Sequence, residues 1–325
     1  MTCLVLPVLW FAVFALYAGF LWWLDRYEKE PLRLLAGLFV WGAVPAVLIA
    51  ALVEVVFGVV IRYMMGGPGE PPGSGSAAQF TQAVILAPVI EESLKGLILL
   101  LPWVVRHMDS PLDGVLYGSA VGLGFAFTED ILYVISAYIE SGAAQAWVLF
   151  FFRSVIFGLN HSFFTSFIGI AVSLAVLYRW WVVLPIGWVA AVGTHTVHNI
   201  LVISKSAGMI LGSIFWHWIS GFGLLGLIVG FWWLERRCLR EAMATWPGFP
   251  IAYERLFRHP FSRWQYCREG WRTGGWTGFR KRRTFYNELA GALLAWYHAR
   301  RLHDACRWQR CVTFARKYGW PIPPL

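Results

Sequence analysis

Charge is what this sequence has least of. Only 14% of its 325 residues are Asp, Glu, Lys or Arg, while 58% are hydrophobic and the mean hydropathy is +0.58. Soluble globular chains carry about 25% charged residues, so the shortage excludes a soluble enzyme and a disordered chain. Cysteine is also scarce: there are five, an odd number, of which Cys3 lies in the first apolar run and four lie beyond residue 234. That excludes a disulfide scaffold. There is no internal repeat and no phosphate-binding glycine loop. Long polar loops are missing too. The longest connection between apolar runs, 62–79, reads RYMMGGPGEPPGSGSAAQ, a turn-rich composition too short for an extramembrane domain.

What is present is a series of apolar runs. Crossing a bilayer takes about 20 apolar residues, and seven runs qualify: 2–24, 33–61, 80–105, 112–138, 146–178, 182–203 and 210–234. The fold class predicted is all-α, a polytopic integral membrane helix bundle of about seven spans with a basic helical tail. The second and fifth runs are too long for a simple crossing and must tilt, kink or protrude; the fifth is expected to break near Gly158-Leu159-Asn160. The first run lacks a basic leader and a small-residue cleavage site, so it reads as a retained helix. Arg26, Lys29, Arg33, Arg106 and Arg179 flank one side of the spans; Arg62 and Lys205 flank the other. By the positive-inside rule the N-terminus lies outside and the C-terminus in the cytoplasm. An eighth crossing would break the agreement between span count and charge.

The charge divides the chain in two. Residues 235–325 carry 18 Lys and Arg against 6 Asp and Glu, a net of +12, whereas residues 1–234 carry 9 against 12, a net of −3. The expected domains are therefore a membrane body, 1–234, and a basic, Trp-rich cytoplasmic tail, 235–325. Such a tail suits anionic lipid headgroups, where each nearby Lys or Arg gains ~1 kcal/mol; no nucleic acid is expected. The tail's His298, His303, Cys306 and Cys311 have no common zinc spacing and read as one amphipathic helix.

Ionisable groups inside the oily body need a reason, because each costs ~2.5–3.5 kcal/mol at mid-membrane on insertion scales. The third span, APVIEESLKGLILL, holds Glu91, Glu92 and Lys95, and Lys95 is i,i+4 and i,i+3 from the two acids. The fourth has a small face at Gly114, Gly118, Gly122 and Gly124, then Phe125, Glu129 and Asp130. Asp130 is expected near the outer interface. The fifth holds Arg153, able to snorkel, and His161. The sixth, THTVHN, places His195 and Asn199 at i,i+4, with His198 between. At 1.5 Å per residue, Glu92 lies ~18 Å and His161 ~22 Å below the outer ends of their spans, and Glu129 and His195 lie ~12–14 Å below theirs. Counted across a bilayer of ~40–45 Å with its headgroups, all four fall between the centre and the outer face, and a broken fifth helix makes His161 shallower. Acids, imidazoles and cations gathered at one depth are what a water-using hydrolytic site requires.

The pieces DRYEKEP (25–31), EESLKG (91–96), DGVLYGSAVGLGFAFTED (113–130), Arg153 with NHSFFTSFIG (160–169), and HTVHN (195–199) resemble the PrsW-type bacterial intramembrane proteases, distant relatives of the CAAX-prenyl endopeptidases. The resemblance covers roughly 25–234. It implies a bacterial inner-membrane endopeptidase that cuts a membrane-protein substrate near the extracytoplasmic side, in the best-known case an anti-sigma factor in stress signalling. It implies Glu91, Glu92, Glu129, His161, His195 and Asn199 as catalytic and places the family's lysine at Lys95; Phe125, Asp130, Arg153 and His198 are expected to support them. Two positions depart: Asp130 stands where the family usually has Asn, and His198 where an aromatic residue is common.

Two hydrolytic schemes use these residues. In one, Glu91 or Glu92 activates water and His161 or His195, with Asn199, stabilises the oxyanion. In the other, His161, His195 and Glu129 hold zinc and a glutamate is the base. Buried acids and histidines also mark proton-coupled transporters, and a non-catalytic sensor would tolerate loss of the glutamates.

Overall fold

The computed structural model describes residues 2–65, 76–203, 206–259 and 262–324. The glycine-rich loop 66–75 and Lys205 lie outside the described residues, and so does the side chain of Cys3. Every regular element among the described residues is helical: α1 (Thr2–Leu24), α2 (Leu32–Trp41), α3 (Val47–Met65), α4 (Ser76–Thr81), α5 (Ala87–Leu97), α6 (Pro102–Val105), α7 (Pro111–Ser141), α8 (Ala143–Phe150), α9 (Asn160–Tyr178), α10 (Val183–Ile203), α11 (Ala207–Thr245), α12 (Ser262–Leu302) and α13 (Ala305–Tyr318). Six helical stretches are long and apolar enough to cross a membrane: Val5–Leu24, Leu32–Ile61, Pro111–Ser141, Ala143–Tyr178, Val183–Ile203 and Gly208–Thr245. The protein is a polytopic helical membrane protein. The seventh expected span, 80–105, differs. It is helical through Leu100, but Glu91, Glu92 and Lys95 lower its hydropathy, and it is packed among α3, α7, α9 and α10 as a central helix.

Helix α7 is the spine. Asp113 starts it by accepting from the backbone N–H groups of Asp109 and Ser110, both at 2.7 Å, in a capping box with Ser110. Glycines then let two neighbours approach its backbone. A Cβ on Gly122 would stand 2.2 Å from the His161 carbonyl oxygen, and one on Gly118 2.5 Å from that of Thr165, so α9 lies directly against this face. Gly124 serves the opposite side, where a Cβ would meet the Phe39 carbonyl at 2.0 Å. The glycines expected to form one face thus form two.

The fifth run breaks where the sequence indicates. A π-helical turn, Phe151–Ile156, leads through Gly158 to a fresh helix start at Asn160. A second π-helical turn, Gln82–Leu86, frees carbonyls that α10 captures: Asn199 Nδ2 donates to Ala83 O at 2.8 Å and Thr196 Oγ1 to Val84 O at 3.0 Å. Such bulges recur at functional sites.

Helix α11 runs unbroken through residue 234. Beyond it the tail folds as its own core, in which Trp246, Tyr286, Leu293, Trp296 and Phe314 pack with Tyr27 from the α1–α2 connection. Arg310 fastens the tail to the α6–α7 connection, with Nη1 2.7 Å from Asp109 Oδ1. His298 and Cys311 are buried and Cys306 is exposed.

Candidate active site

Three residues of α5 start the site. Lys95 is fully buried, and its ammonium lies 3.1 Å from Glu91 Oε2, 2.8 Å from Glu92 Oε1 and 3.0 Å from His161 Nδ1. Its three N–H donors are thereby committed to three acceptors. Its fourth side is closed by the Phe125 ring, 3.8 Å to the centroid. Because an ammonium only donates, His161 Nδ1 accepts, and Nε2 carries the hydrogen toward Glu129 Oε2 at 2.9 Å.

The two adjacent glutamates have different surroundings. Both oxygens of Glu92 are spent: Oε1 on Lys95 and on His195 Nδ1 at 3.0 Å, and Oε2 on Thr165 Oγ1 at 2.9 Å. Its side chain has no exposure. A carboxylate only accepts, so His195 carries its hydrogen on Nδ1 and presents a bare Nε2, 3.9 Å from Glu91 Oε2. Glu91 meanwhile lines a cavity of about 590 Å³, together with Glu129, Arg153, His161, His195 and Asn199.

Glu129 and Asp130 share one guanidinium. Arg153 Nη2 lies 3.1 Å from Glu129 Oε2, and its Nε donates to Asp130 Oδ1 at 2.8 Å, while the guanidinium lies over the Tyr133 ring at 3.9 Å. Arg153 is therefore bound inward rather than snorkelling. Asp130, expected to be solvated, is buried and also accepts from Ser154 Oγ at 3.0 Å. The reason is the π-helical turn, which rotates Arg153 and Ser154 toward α7. His198 is buried 3.5 Å from Asn160 Nδ2 and belongs to a row of imidazoles with His195 and His217.

Two groups on this network were missed by sequence reasoning. Glu54 of α3 lines the same cavity. His217 of α11 meets Asn160 Nδ2 at 2.5 Å. The signal for both was available: each is an ionisable residue inside an apolar span.

Four residues, Glu91, Glu92, His161 and His195, offer ligand atoms within 4.8 Å of one another, the one such group among the described residues. The set differs from His161, His195 and Glu129, since Glu129 sits behind His161 rather than beside His195. Two imidazoles and two carboxylates are donor types that suit zinc. Their arrangement here does not, because the Lys95 ammonium already stands among three of the four. A divalent ion about 3 Å from an ammonium would cost on the order of 10 kcal/mol at an effective dielectric of about 20.

The comparisons with known proteins concern this region. A family model described as PrsW family intramembrane metalloprotease matches residues 30–234. The chain is 26% identical over 221 residues to Protease PrsW of Geobacillus kaustophilus (strain HTA426), covering 67% of this chain and 83% of that one. It is 33% identical over 124 residues to Protease PrsW of Bacillus subtilis (strain 168), covering 38% of this chain and half of the relative. It is 30% identical over 114 residues to Protease PrsW of Clostridioides difficile (strain 630), covering 34% and 43%. No solved structure matches. The matched segment contains α3, α5, α7, α9 and α10, and so every side chain described around the cavity; the chain belongs to the PrsW family of intramembrane metalloproteases.

Proposed function

We propose that the protein hydrolyses a peptide bond of a membrane-protein substrate with Glu91 as the general base, in a reaction that this chain's own side chains carry. The observation behind this reading is the division of labour between the two glutamates. Glu92 is saturated by Lys95, His195 and Thr165, whereas Glu91 borders the cavity across 3.9 Å from His195 Nε2. A water between them gives a proton to Glu91, and its oxygen attacks the substrate carbonyl carbon. Asn199 spends one Nδ2 hydrogen on Ala83 O and has a second for the oxyanion. When the C–N bond breaks, the proton passes from Glu91 to the leaving amine.

The remaining residues orient. Glu92 fixes the His195 tautomer, Lys95 aligns both glutamates with His161, and Arg153 with Asp130 holds Glu129 behind His161. Phe125 shuts water away from the ammonium.

With the C-terminus read as cytoplasmic from the basic residues flanking the spans, the cavity falls in the extracytoplasmic half of the membrane. A single-pass protein of the anti-sigma type, cut on that side, is the substrate class the family suggests. The basic tail then rests on anionic headgroups of the inner leaflet.

The test is cleavage of a panel of single-pass membrane proteins by purified protein in nanodiscs. Glu91→Gln is expected to abolish cleavage with the thermal midpoint kept, and Glu92→Gln to lower both. Equal cleavage by wild type and Glu91→Gln would refute the assignment.

A further inference from the structure

One acid on the cavity wall has no role in that scheme. Glu54 of α3 lines the same cavity as Glu91 and Glu129, and its Oε1 is closed off from solvent without a hydrogen-bond partner. The other charges bordering the cavity are matched within the protein. Glu91 faces Lys95 at 3.1 Å, and Glu129 faces Arg153 at 3.1 Å. Lys95, enclosed by its own three acceptors, does not border the cavity, and Arg153 is the one lining cation among the described residues. Three carboxylates and one guanidinium therefore look onto this space.

Glu54 is half-buried, and a carboxylate with one enclosed, unpartnered oxygen favours an opposite charge within a few ångströms. Among the described residues no cation forms an ion pair with it. Gln82, the polar neighbour from the π-helical turn, is turned toward the Glu54 backbone: its Nε2 donates to the Glu54 carbonyl at 3.4 Å. Nor does Glu54 belong to the group of donors that could hold a metal. What remains is the substrate.

We propose that Glu54 forms a subsite for the side chain of a lysine or arginine in the substrate segment next to the bond that is cut. The inference rests on the protease reading and adds to it a chemical class of substrate. It also gives α3 a task. A cationic side chain reaching Glu54 enters the same cavity as Glu91 and His195, which holds the substrate segment beside the hydrolytic groups.

The test separates binding from cleavage. The full-length protein is held in phosphatidylcholine nanodiscs, free of amine lipids. Fluorescent single-pass peptides are titrated against it, identical except for Lys, Met or Glu at one position scanned along the outer juxtamembrane segment. At one position the Lys peptide is expected to bind about 5-fold tighter than the Met peptide, the upper end for an ion pair that solvent partly screens. Glu54→Gln is expected to erase that preference, Glu54→Asp to keep most of it, and Glu54→Lys to turn it toward the Glu peptide. Equal binding of Lys and Met peptides at every position would overturn the subsite. So would a preference that survives in Glu54→Gln and Glu54→Lys of unchanged thermal midpoint. Cleavage is read separately. Binding that depends on Glu54 without any cut would count against the protease reading and leave the subsite standing; cleavage indifferent to Glu54 would do the reverse.

Discussion

Two clusters of buried charge stand at different levels of this molecule. The inner one joins Asp25, Glu28, Glu30, Asp109 and Asp113 to the tail's Arg310. Its carboxylates are turned largely to backbone and capping duties: Asp25 accepts from the Glu30 N–H at 2.8 Å, and Asp113 caps α7. Glu30 meets the Tyr117 hydroxyl, and Arg310 closes the set from outside. The outer cluster is built the other way. Its groups come from α5, α7, α9, α10 and the turn before α9, and two imidazoles, His161 and His195, stand against its carboxylates. Burial of charge is common to both clusters, and each borders a cavity. The imidazoles set against carboxylates, rather than burial or access, distinguish the cluster to which the proposed reaction is assigned.

Changes made in pairs sharpen the contrast. The largest effect is expected at Glu91. Glu91→Gln should lower cleavage by ~10³-fold, within the range for losing a general base. Asp113→Asn should leave the rate per folded molecule unchanged and lower the thermal midpoint, through ~1 kcal/mol of lost capping. If Asp113→Asn silenced cleavage as fully as Glu91→Gln, the distinction between the clusters would fail.

Lys95→Met comes next. It leaves two buried carboxylates without their cation and should cost ~3–5 kcal/mol, read as a large drop in unfolding midpoint in detergent. The matched inner change, Arg310→Ala, removes a cation that is 41% exposed, so solvent screening keeps its cost to ~1 kcal/mol or less. Limited proteolysis should then find the tail released sooner while cleavage persists.

The smallest effect is a pH dependence of the inner cluster. Burial pushes the Asp25 carboxyl up to about 6 and the Lys29 ammonium down to about 7. A raised carboxyl favours the fold at low pH, and that stability is lost as pH rises from about 4 to 6. A lowered ammonium penalises the fold at low pH, and stability returns as pH rises from about 7 toward 10. Burial also holds the Glu28 and Glu30 carboxyls well above their ordinary range, so thermal midpoints should fall as pH rises from about 4 through 7, with Lys29 opposing the fall above pH 7. Lys29→Met should steepen the fall on the alkaline side, and a wild-type midpoint that rises between about pH 4 and 7 would argue against the assignment.

Much of the outer cluster was legible in the sequence because its members announce themselves as charges in oil. Glu91, Glu92, Lys95, Glu129, His161 and His195 could be placed at one depth by counting residues along helices. The break before Asn160 followed from run length. Other features depend on what packs against what, which periodicity does not carry. Glu91 and Glu92 are neighbours in sequence, and only the positions of Thr165 and His195 separate their roles. Asp130 looked solvated because nothing local shows that a π-helical turn brings Arg153 and Ser154 onto it. Gly124 shares a small-residue pattern with Gly114, Gly118 and Gly122 yet faces α2, since two residues of helix turn it away from α9. Glu54 and His217 are single ionisable residues in otherwise apolar helices, and their partners come from distant segments.

The most direct test of the central claim is a zinc titration of cleavage. Purified protein, its zinc measured by mass spectrometry, would be assayed on one cleaved substrate with a strong chelator, without it, and with added zinc, beside Glu91→Gln. The account expects substoichiometric zinc, a rate unaffected by chelator, and loss of cleavage in Glu91→Gln. One zinc per chain, with cleavage lost to chelator and restored by zinc, would contradict it and require Lys95 to leave the place it holds among the donors.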